Sequence, residues 1–587
     1  MNHQRLRTSF LNFFKDKNHK IVASSSLIPE DPSVLFTTAG MQQFKRYYLG
    51  EKSPFGLNAT SCQKCFRTSD IDEVGDISHL TFLEMLGNFS FGGYFKEEAI
   101  KIALQFFFEE LKLKKDNFIF TVFKGDPSPS SGQVIPADKE SISILKKLGI
   151  PENKIKECGR AENFWGPTGK EGPCGPTVEI HFKDIDPVRN NISNGVELWN
   201  LVFNEYYQDE KGKLTPLKQK GVDTGMGLER LAMVVQKKPS VYETDLFESI
   251  IQEIKKHIGD TYVNLRGERV IADHIKGAVF LISEGIFPSN VERGYVLRRV
   301  LRRAIRYGKL LNLPQNFLIP LAQKVIEIYK EIYPELKSNE TDILTVIQNE
   351  EEKFGKTLAE GLKQFEKITQ KKLISGTDAF HLYDTYGFPL ELTTELAKEK
   401  NLIVDEKGFH EAFKKHQEIS RAGAEKKFGG IGKEADYQTI KLHTATHLLH
   451  QALREILGPH VKQMGSDITS QRLRFDFSHS VKMTDEELKK VEDLINQKVK
   501  EDLPVRKEEM PYEEALKSGA LAFFKEKYPE RVTVYSIGDP STGSGQVFSK
   551  EICAGPHVGK TSELGHFKIV KEESSSSGIR RIRAILK

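Results

Sequence analysis

The spacing of apolar residues changes character twice along the chain. Up to about residue 240, short runs rich in Phe, Val, Ile and Tyr, such as LFTTAGMQQF, FLEMLGNFSFGGYF, PTVEIHF and ELWNLVFNEYYQ, stand between Gly, Pro and Asn, and GVDTGMGLERLAMVV closes the series. Runs of this composition bounded by turn formers predict a mixed, largely antiparallel sheet flanked by helices, an α+β domain over 1–240. From 241 to 420 apolar positions recur at helical spacing, as in IIQEIKKHI, GYVLRRVLRRAIRYGKLL and EEKFGKTLAEGLKQFEKIT, which predicts a mainly helical domain. The stretch RAGAEKKFGGIGKEAD, 421–436, is rich in Gly and Lys and reads as a linker. Over 437–587 the pattern is mixed again: a helix bearing HTATHLLH, strand-like RLRFDF, a charged helix TDEELKKVEDLINQKVKE, and the short strands VTVYSIG and HFKIV. This predicts a second, smaller α+β unit.

Composition sets outer bounds. A chain of 587 residues, 38% hydrophobic and 29% charged, is an ordinary globular sequence too long for one core. The N-terminal MNHQRLRTSFLNFFKDK lacks a signal-type apolar run, and nothing later approaches the roughly 18 uninterrupted apolar residues of a membrane span, so a cytoplasmic protein is expected. Five cysteines, at 62, 65, 158, 174 and 553, are few and unevenly spaced, which argues against a disulfide framework.

A net charge of +4 says little about a polyanionic partner, but local clustering says more. Arg293 to Lys309, RGYVLRRVLRRAIRYGK, carries seven Arg or Lys and no acid. At helical spacing Arg298, Arg299, Arg302, Arg303 and Arg306 share one side, and Val296, Leu297, Val300, Leu301 and Ala304 the other. A solvated face and a phosphate-binding face both fit this pattern.

His443 and His447 in HTATHLLH are four residues apart, so a helix places both imidazoles on one face where they can reach a common point. About a hundred residues later Cys553-Ala-Gly-Pro-His557 offers a second pair in a loop between strands. Three imidazole nitrogens and one thiolate form a donor set that suits tetrahedral zinc, and the combined pattern is far more specific than either half. Cys62-Gln-Lys-Cys65 is a weaker metal candidate, because no second pair follows at zinc-ribbon spacing.

No GxxxxGK[ST] loop is present, and the GMG of GMGLER lacks the later glycine of the dinucleotide fingerprint. Phosphate, if bound, is bound otherwise, and arginines near Gly-rich or strand segments suit that purpose. GMGLER, 225–230, resembles motif 3 of the class II aminoacyl-tRNA synthetases, and SCQKCFRT through TFLEMLGNFSFGGYF resembles the motif 2 region of the alanyl-tRNA synthetase family. The resemblance continues in family order through ENFWGPTGKEGPCGP, ELWNLVF, VDTGMGLERL, VIADHI, FPSNVERGYVLRRVLRRA, YDTYGFPLELT, HTATHLLH, RLRFDFSH and CAGPHV, covering nearly the whole chain.

The resemblance implies an ATP-dependent ligase that adenylates alanine, transfers it to its tRNA, and hydrolyses mischarged product at a separate zinc site. It implies a class II antiparallel-sheet catalytic domain, a helical tRNA-recognition domain and a zinc-binding editing domain. By motif, Arg67 would hold the ATP α-phosphate, Arg230 would cap adenine and contact the far phosphates, and Asp223 would accept the substrate ammonium. Trp165 and Val202 would bound a methyl-sized pocket, Gly225 would allow close backbone approach, and Met85, Phe89 and Asn200 would complete the substrate and ATP contacts. Asn290 and Asp384 would meet the tRNA acceptor stem, with Arg298 and Arg302 on its backbone. One Zn²⁺ on His443, His447, Cys553 and His557, and Mg²⁺ with ATP, are the implied cofactors. Editing has its own physical motive: a pocket that fits alanine cannot reject glycine, and rejects serine only by about 1–3 kcal/mol.

Three departures from the family pattern stand out. The family usually reads Cys-Gly-Gly-Thr-His where this chain has Cys-Ala-Gly-Pro-His, and the Pro556 version resembles the threonyl editing loop. The 421–436 linker stands where family members carry an extra β-barrel, and the chain stops at IRRIRAILK where they continue, so a reduced, monomeric form is expected. A relative that kept only tRNA binding or editing is the alternative, and retention of Arg67, Asp223 and Arg230 together speaks for the full enzyme.

Overall fold

The computed structural model describes residues 1–126, 134–183, 195–258, 265–369, 373–416, 436–479, 481–522, 530–538, 547–576 and 578–587. Apart from Asp436, the expected 421–436 linker lies outside the described residues. The chain gathers into two compact units, 1–286 with 290–355, and 287–289 with 356–587.

The first unit is built on a sheet of β1 (Lys20–Ile21), β2 (Asn58–Phe66), β3 (Phe82–Ser90), β4 (Phe118–Phe123), β5 (Ile155–Cys158), β6 (Phe164–Trp165), β7 (Gly172–Phe182), β8 (Val196–Gln208) and β9 (Leu214–Gly227). Its order is β1-β2-β3-β9-β8-β7-β4-β5, with β6 on β7. Only the outer pairs, β1 with β2 and β4 with β5, run parallel. Every pair between them is antiparallel, as the α+β pattern of the sequence predicts. Strand β2 is buried along most of its length, and its polar side chains are matched: Lys64 Nζ lies 2.8 Å from Glu284 Oε1, and Gln63 Oε1 accepts from Ser25 N at 2.9 Å. The first helix, His3–Lys15, turns Phe10 and Phe14 onto the buried Trp199 of β8, with ring centroids 5.6 and 6.2 Å apart.

Helices Glu248–Ile258, Leu265–Ser283, Glu292–Leu310, Leu318–Tyr329 and Glu340–Ile368 follow the sheet. Leu265–Ser283 is buried over most of its length, and its Phe280 stacks on Phe82 of β3 at 3.9 Å. Beneath this contact lie four buried charges. Arg7 Nε donates to Glu84 Oε1 at 3.0 Å, and Lys276 Nζ reaches Glu229 Oε1 at 2.6 Å. The Glu84 N–H donates to both Glu229 oxygens at 3.2 Å, and Tyr333 OH donates to Glu84 at 2.8 Å. Burial pushes both carboxyls up, but Arg7 overrides it and holds Glu84 below the usual carboxylate range. Glu229 stays raised, because burial outweighs the pull of Lys276.

In the second unit, helices Gly376–Tyr386 and Leu390–Glu399 accompany the parallel pair β10 (Leu373–Ile374) and β11 (Ile403–Val404). Helix Tyr437–Leu457 follows, capped by Asp436, whose Oδ1 accepts from Thr439 N at 2.9 Å. Strands β12 (Gln463–Ile468), β13 (Leu473–Ser478), β14 (Val505–Pro511), β15 (Arg531–Ile537), β16 (Ser549–Ile552), β17 (Phe567–Ser576) and β18 (Ile579–Leu586) form two sheets, β12-β13-β18-β17 and β14-β15-β16. Leu442, Leu449 and Leu453 of the helix pack with Phe475, Phe477 and Ile582 of the larger sheet and with Val491 and Ile495 of helix Asp485–Lys500. The latter helix starts at a capping box in which Thr484 and Glu487 bond each other's backbone N–H. Among the described residues no helix is long and apolar enough to cross a membrane.

The buried charges give the first prediction. Lys276→Met leaves Glu229 buried beside Glu84 without its counter-ion and is expected to cost about 3–5 kcal/mol. Urea unfolding of the first unit's transition measures it, and a cost under about 1 kcal/mol would mean that the pair is not a structural keystone.

Candidate functional site

Arg67 follows directly on β2, and Arg230 stands in helix Leu228–Val235, which begins where β9 ends at Gly227. The two line one pocket of about 60 Å³, together with Ser78, Met85, Glu197 and Gly225. Arg67 Nε donates to Thr38 O at 3.2 Å, and Arg230 Nη1 donates to Glu197 O at 3.1 Å and Glu197 Oε2 at 3.2 Å. At Gly225 the backbone comes close to the Met85 side chain: a Cβ there would stand 2.9 Å from Met85 Sδ, so the thioether would have to move.

Strand register assembles the neighbouring residues. Asp223 of β9 lies opposite Phe89 of β3 and Val202 of β8, and Gly225 lies opposite Asn200. Asn200 Nδ2 donates to Glu179 Oε1 at 3.2 Å. Trp165 packs, half-buried, against the cluster that holds Met85 and Phe89. Asp223 is only 4% exposed, and burial pushes its carboxyl up to about 7. Of the nine residues singled out for activation and substrate contact, Arg67, Met85, Gly225 and Arg230 line the pocket, while Asp223, Phe89, Val202 and Asn200 neighbour it through strand register and Trp165 through the apolar cluster. Such a site can hold a polyanion next to a small cationic group.

In the second unit, the ligand atoms of His443, His447, Cys553 and His557 all lie within 4.8 Å of one another. Cys553 Sγ is 3.4 Å from His443 Nε2, and the His443 and His557 rings stack at 4.2 Å. Two of the imidazoles, His443 and His557, have a hydrogen-bond partner at the other nitrogen, and the third, His447, has only a carboxylate near it. His443 Nδ1 meets Pro556 O at 3.1 Å, His557 Nδ1 meets Thr444 Oγ1 at 3.1 Å, and His447 Nδ1 lies 3.5 Å from Glu551 Oε2. His557 Nε2 is buried with no hydrogen-bond partner. This is how a metal centre is dressed: ligating nitrogens converge while outer groups face each ring. Gly555 is required for the approach, since a Cβ there would lie 2.4 Å from His443 Cε1. Burial pushes His443 down to about 4, His557 well below the usual range, and the Cys553 thiol up to about 11. The imidazoles are therefore neutral, the form that binds metal, and Cys553 must give up its proton on binding.

The Cys62/Cys65 candidate does not gather ligands. Three residues apart on β2, the two side chains point to opposite faces. Both are buried, with burial pushing Cys65 up to about 12 and Cys62 well above the usual thiol range.

The arginine face corrects a sequence expectation. Arg298, Arg302, Arg303 and Arg306 are buried, so they present no solvated surface to a nucleic acid backbone. Arg302 Nε reaches Glu350 Oε1 at 2.7 Å and its guanidinium lies over Phe354 at 4.8 Å. Arg298 Nε lies 3.6 Å from the same Glu350 oxygen, and Arg298 also bonds Asn290. The compensating acid comes from helix Glu340–Ile368, out of reach of local sequence reasoning. Asn290 and Asp384 are exposed, in the first and second unit respectively. The sequence reading also missed Glu551, which bonds His450 Nδ1 at 2.8 Å; its place two residues before Cys553 was the available signal.

The family described as "tRNA synthetases class II (A)" matches residues 5–521, and "Threonyl and Alanyl tRNA synthetase second additional domain" matches 532–583. The chain is a member of the class II aminoacyl-tRNA synthetases. It is 50% identical to an alanine–tRNA ligase of Borreliella afzelii over 99% of both chains. An alanine–tRNA ligase of Borrelia hermsii matches at 49% over 99% of both, and one of Treponema denticola at 50% over 99% of this chain and 98% of that one. Within the class, the chain belongs to the alanine–tRNA ligase family.

Because Arg302 is internal, Arg302→Met is expected to destabilise the protein by about 3 kcal/mol, since buried Glu350 loses its nearer counter-ion and keeps Arg298 at 3.6 Å. Arg302→Met with Glu350→Leu is expected to regain only part of that loss, because Arg298 also faces Glu350, and thermal unfolding of the single and double variants measures it.

Proposed function

We propose that this chain activates alanine with ATP, transfers it to its tRNA, and clears serine and glycine mischarged onto that tRNA. The observation that carries the reading is the placement of Arg67 and Arg230 around one pocket beside Gly225, with the buried Asp223 two residues away on the same strand. Arg67 holds the α-phosphate and stabilises the charge that develops there as the carboxylate attacks; Arg230 covers adenine and meets the far phosphates. Asp223 receives the ammonium, while Trp165 and Val202 bound the methyl pocket and Met85, Phe89 and Asn200 frame the rest. Glu197 lines the same pocket and would hold the Mg²⁺ that accompanies ATP, which would neutralise phosphate charge.

The four-residue cluster fits zinc in donor type and in its dressed rings. His443, His447, Cys553 and His557 would hold one Zn²⁺, supplying a Lewis acid for the amine or hydroxyl of a misplaced serine. The chain's labour then divides into activation by 1–240, tRNA recognition by 241–420 with Asn290 and Asp384 at the acceptor stem, a linker at 421–436, and editing by 437–587.

Three experiments test the proposal. Arg67→Ala and Arg230→Ala are each expected to lower alanine-dependent ATP–pyrophosphate exchange by about 10²–10³ without loss of fold. Normal exchange in Arg67→Ala would remove it from the reaction. The raised acid gives a pH signature: Asp223 is a carboxylate above about 7 and protonated below, so ammonium binding weakens as pH falls through that value. KM for alanine is expected to rise by up to about tenfold per unit below pH 7, and Asp223→Asn is expected to flatten the profile at a high KM. Finally, Cys553→Ala is expected to lower bound zinc and let seryl-tRNA accumulate while alanine activation is unchanged. Retention of wild-type zinc by that variant would break the ligand assignment.

A further inference from the structure

The segment from Arg67 to Thr81, between β2 and β3, forms one wall of the pocket through Arg67, Asp70, Ser78 and Leu80. Its backbone is held by side chains from two helices of the same unit. Arg303 Nη1 donates to Ile71 O at 2.7 Å, Arg269 Nη1 to Asp76 O at 3.0 Å, and Arg266 Nη2 to Asp72 O at 3.3 Å. Arg299 Nη2 meets the Asp72 carboxylate at 2.8 Å. Gly75, in the left-handed region at φ +117°, lets the turn sit on the helix, since a Cβ there would stand 2.7 Å from Arg266 Cγ.

The end of the segment is tied more tightly. Asp273, fully buried, accepts Thr81 N at 2.9 Å and Thr81 Oγ1 at 2.6 Å, and Thr81 O accepts the Arg67 N–H at 2.8 Å. Asp273 Oδ2 also lies 2.9 Å from His274 Nδ1, and His274 Nε2 lies 3.0 Å from Arg303 Nη1. One tautomer of His274, protonated at Nδ1, donates to the aspartate and accepts from the arginine at once. Two of the arginines that the sequence offers as a nucleic acid surface, Arg299 and Arg303, thus hold the loop that carries Arg67.

We propose that Asp273 and Arg303 are positioning residues for adenylate formation: through Thr81 and Ile71 they fix the backbone from which Arg67 reaches the phosphate. The proposal rests on the reading of Arg67 as the α-phosphate contact. A guanidinium must meet charge as it develops, and displacement of about 1 Å is enough to cost a large part of the rate, so the anchoring of its backbone bears on ATP and not on alanine, which Asp223 receives on a different strand.

The test uses the full-length protein with Thr81→Val and Arg303→Lys, which trim the anchoring with little change in volume, and the exposed Arg266→Ala as a milder variant that keeps the buried set intact. In ATP–pyrophosphate exchange, KM for ATP is expected to rise about tenfold in Thr81→Val and Arg303→Lys, with KM for alanine changed less than about twofold. Amide hydrogen exchange over 68–80 is expected to accelerate in all three variants. Deacylation of seryl-tRNA is expected to stay at the wild-type rate. Faster amide exchange with unchanged KM for ATP, or an equal rise in both KM values, overturns the positioning role and leaves only a structural one. Arg67→Ala separates the two levels. If it exchanges pyrophosphate normally, the reading of Arg67 fails; if it is inactive while Arg303→Lys and Thr81→Val match wild type, the anchoring proposal alone fails.

Discussion

Two carboxylates buried side by side constrain everything around them. Glu84 on β3 and Glu229 at the start of the helix after β9 are linked through the Glu84 N–H, and neither has water to solvate its charge. Such a pair persists only if each acid has a cation of its own. Arg7 comes from the first helix and Lys276 from Leu265–Ser283, so the N-terminal helix, the central strands and the helical layer are bound to one electrostatic solution. Strands β3 and β9 are also the strands that carry Met85, Phe89, Asp223 and Gly225, so the register of the pocket and the neutrality of the core are fixed together.

Much of this was legible in the sequence. Short aromatic and β-branched runs such as FLEMLGNFSF, PTVEIHF and ELWNLVFNEYYQ do form the large sheet, although LFTTAGMQQF ends in a helical turn at Gly40–Phe44 and adds no strand, and helical spacing from 248 onward does form helices. The His443/His447 pair and Cys553/His557 converge as the four-residue spacing and the loop between strands suggested. What resisted reading was the environment of each face. Periodicity tells which residues share a side of a helix, not what covers that side. Arg298 and Arg302 therefore looked like a nucleic acid surface until Glu350 appeared against them. Buried charge is hard to read for the same reason: Glu84, Glu229, Asp273 and Lys276 stand in motifs full of apolar residues, with partners on distant elements.

The two sites show different kinds of preorganisation. In the second unit a carbonyl and a hydroxyl bond the outer nitrogens of His443 and His557, and the Glu551 carboxylate stands 3.5 Å from that of His447. In the first unit the order lies in the backbone, where arginines and Asp273 hold the turn behind Arg67. A pocket sized for alanine would leave glycine and serine poorly excluded, so a second hydrolytic site would complement it in physical terms.

The pocket around Arg67, Arg230 and Asp223 is proposed to activate one small amino acid and to discriminate by size. ATP–pyrophosphate exchange with each of the twenty amino acids tests it most directly. Strong exchange with alanine, weak exchange with glycine and serine, and none with larger side chains is the result this account requires. Exchange that favours a larger amino acid, or no exchange with any of the twenty, would contradict it.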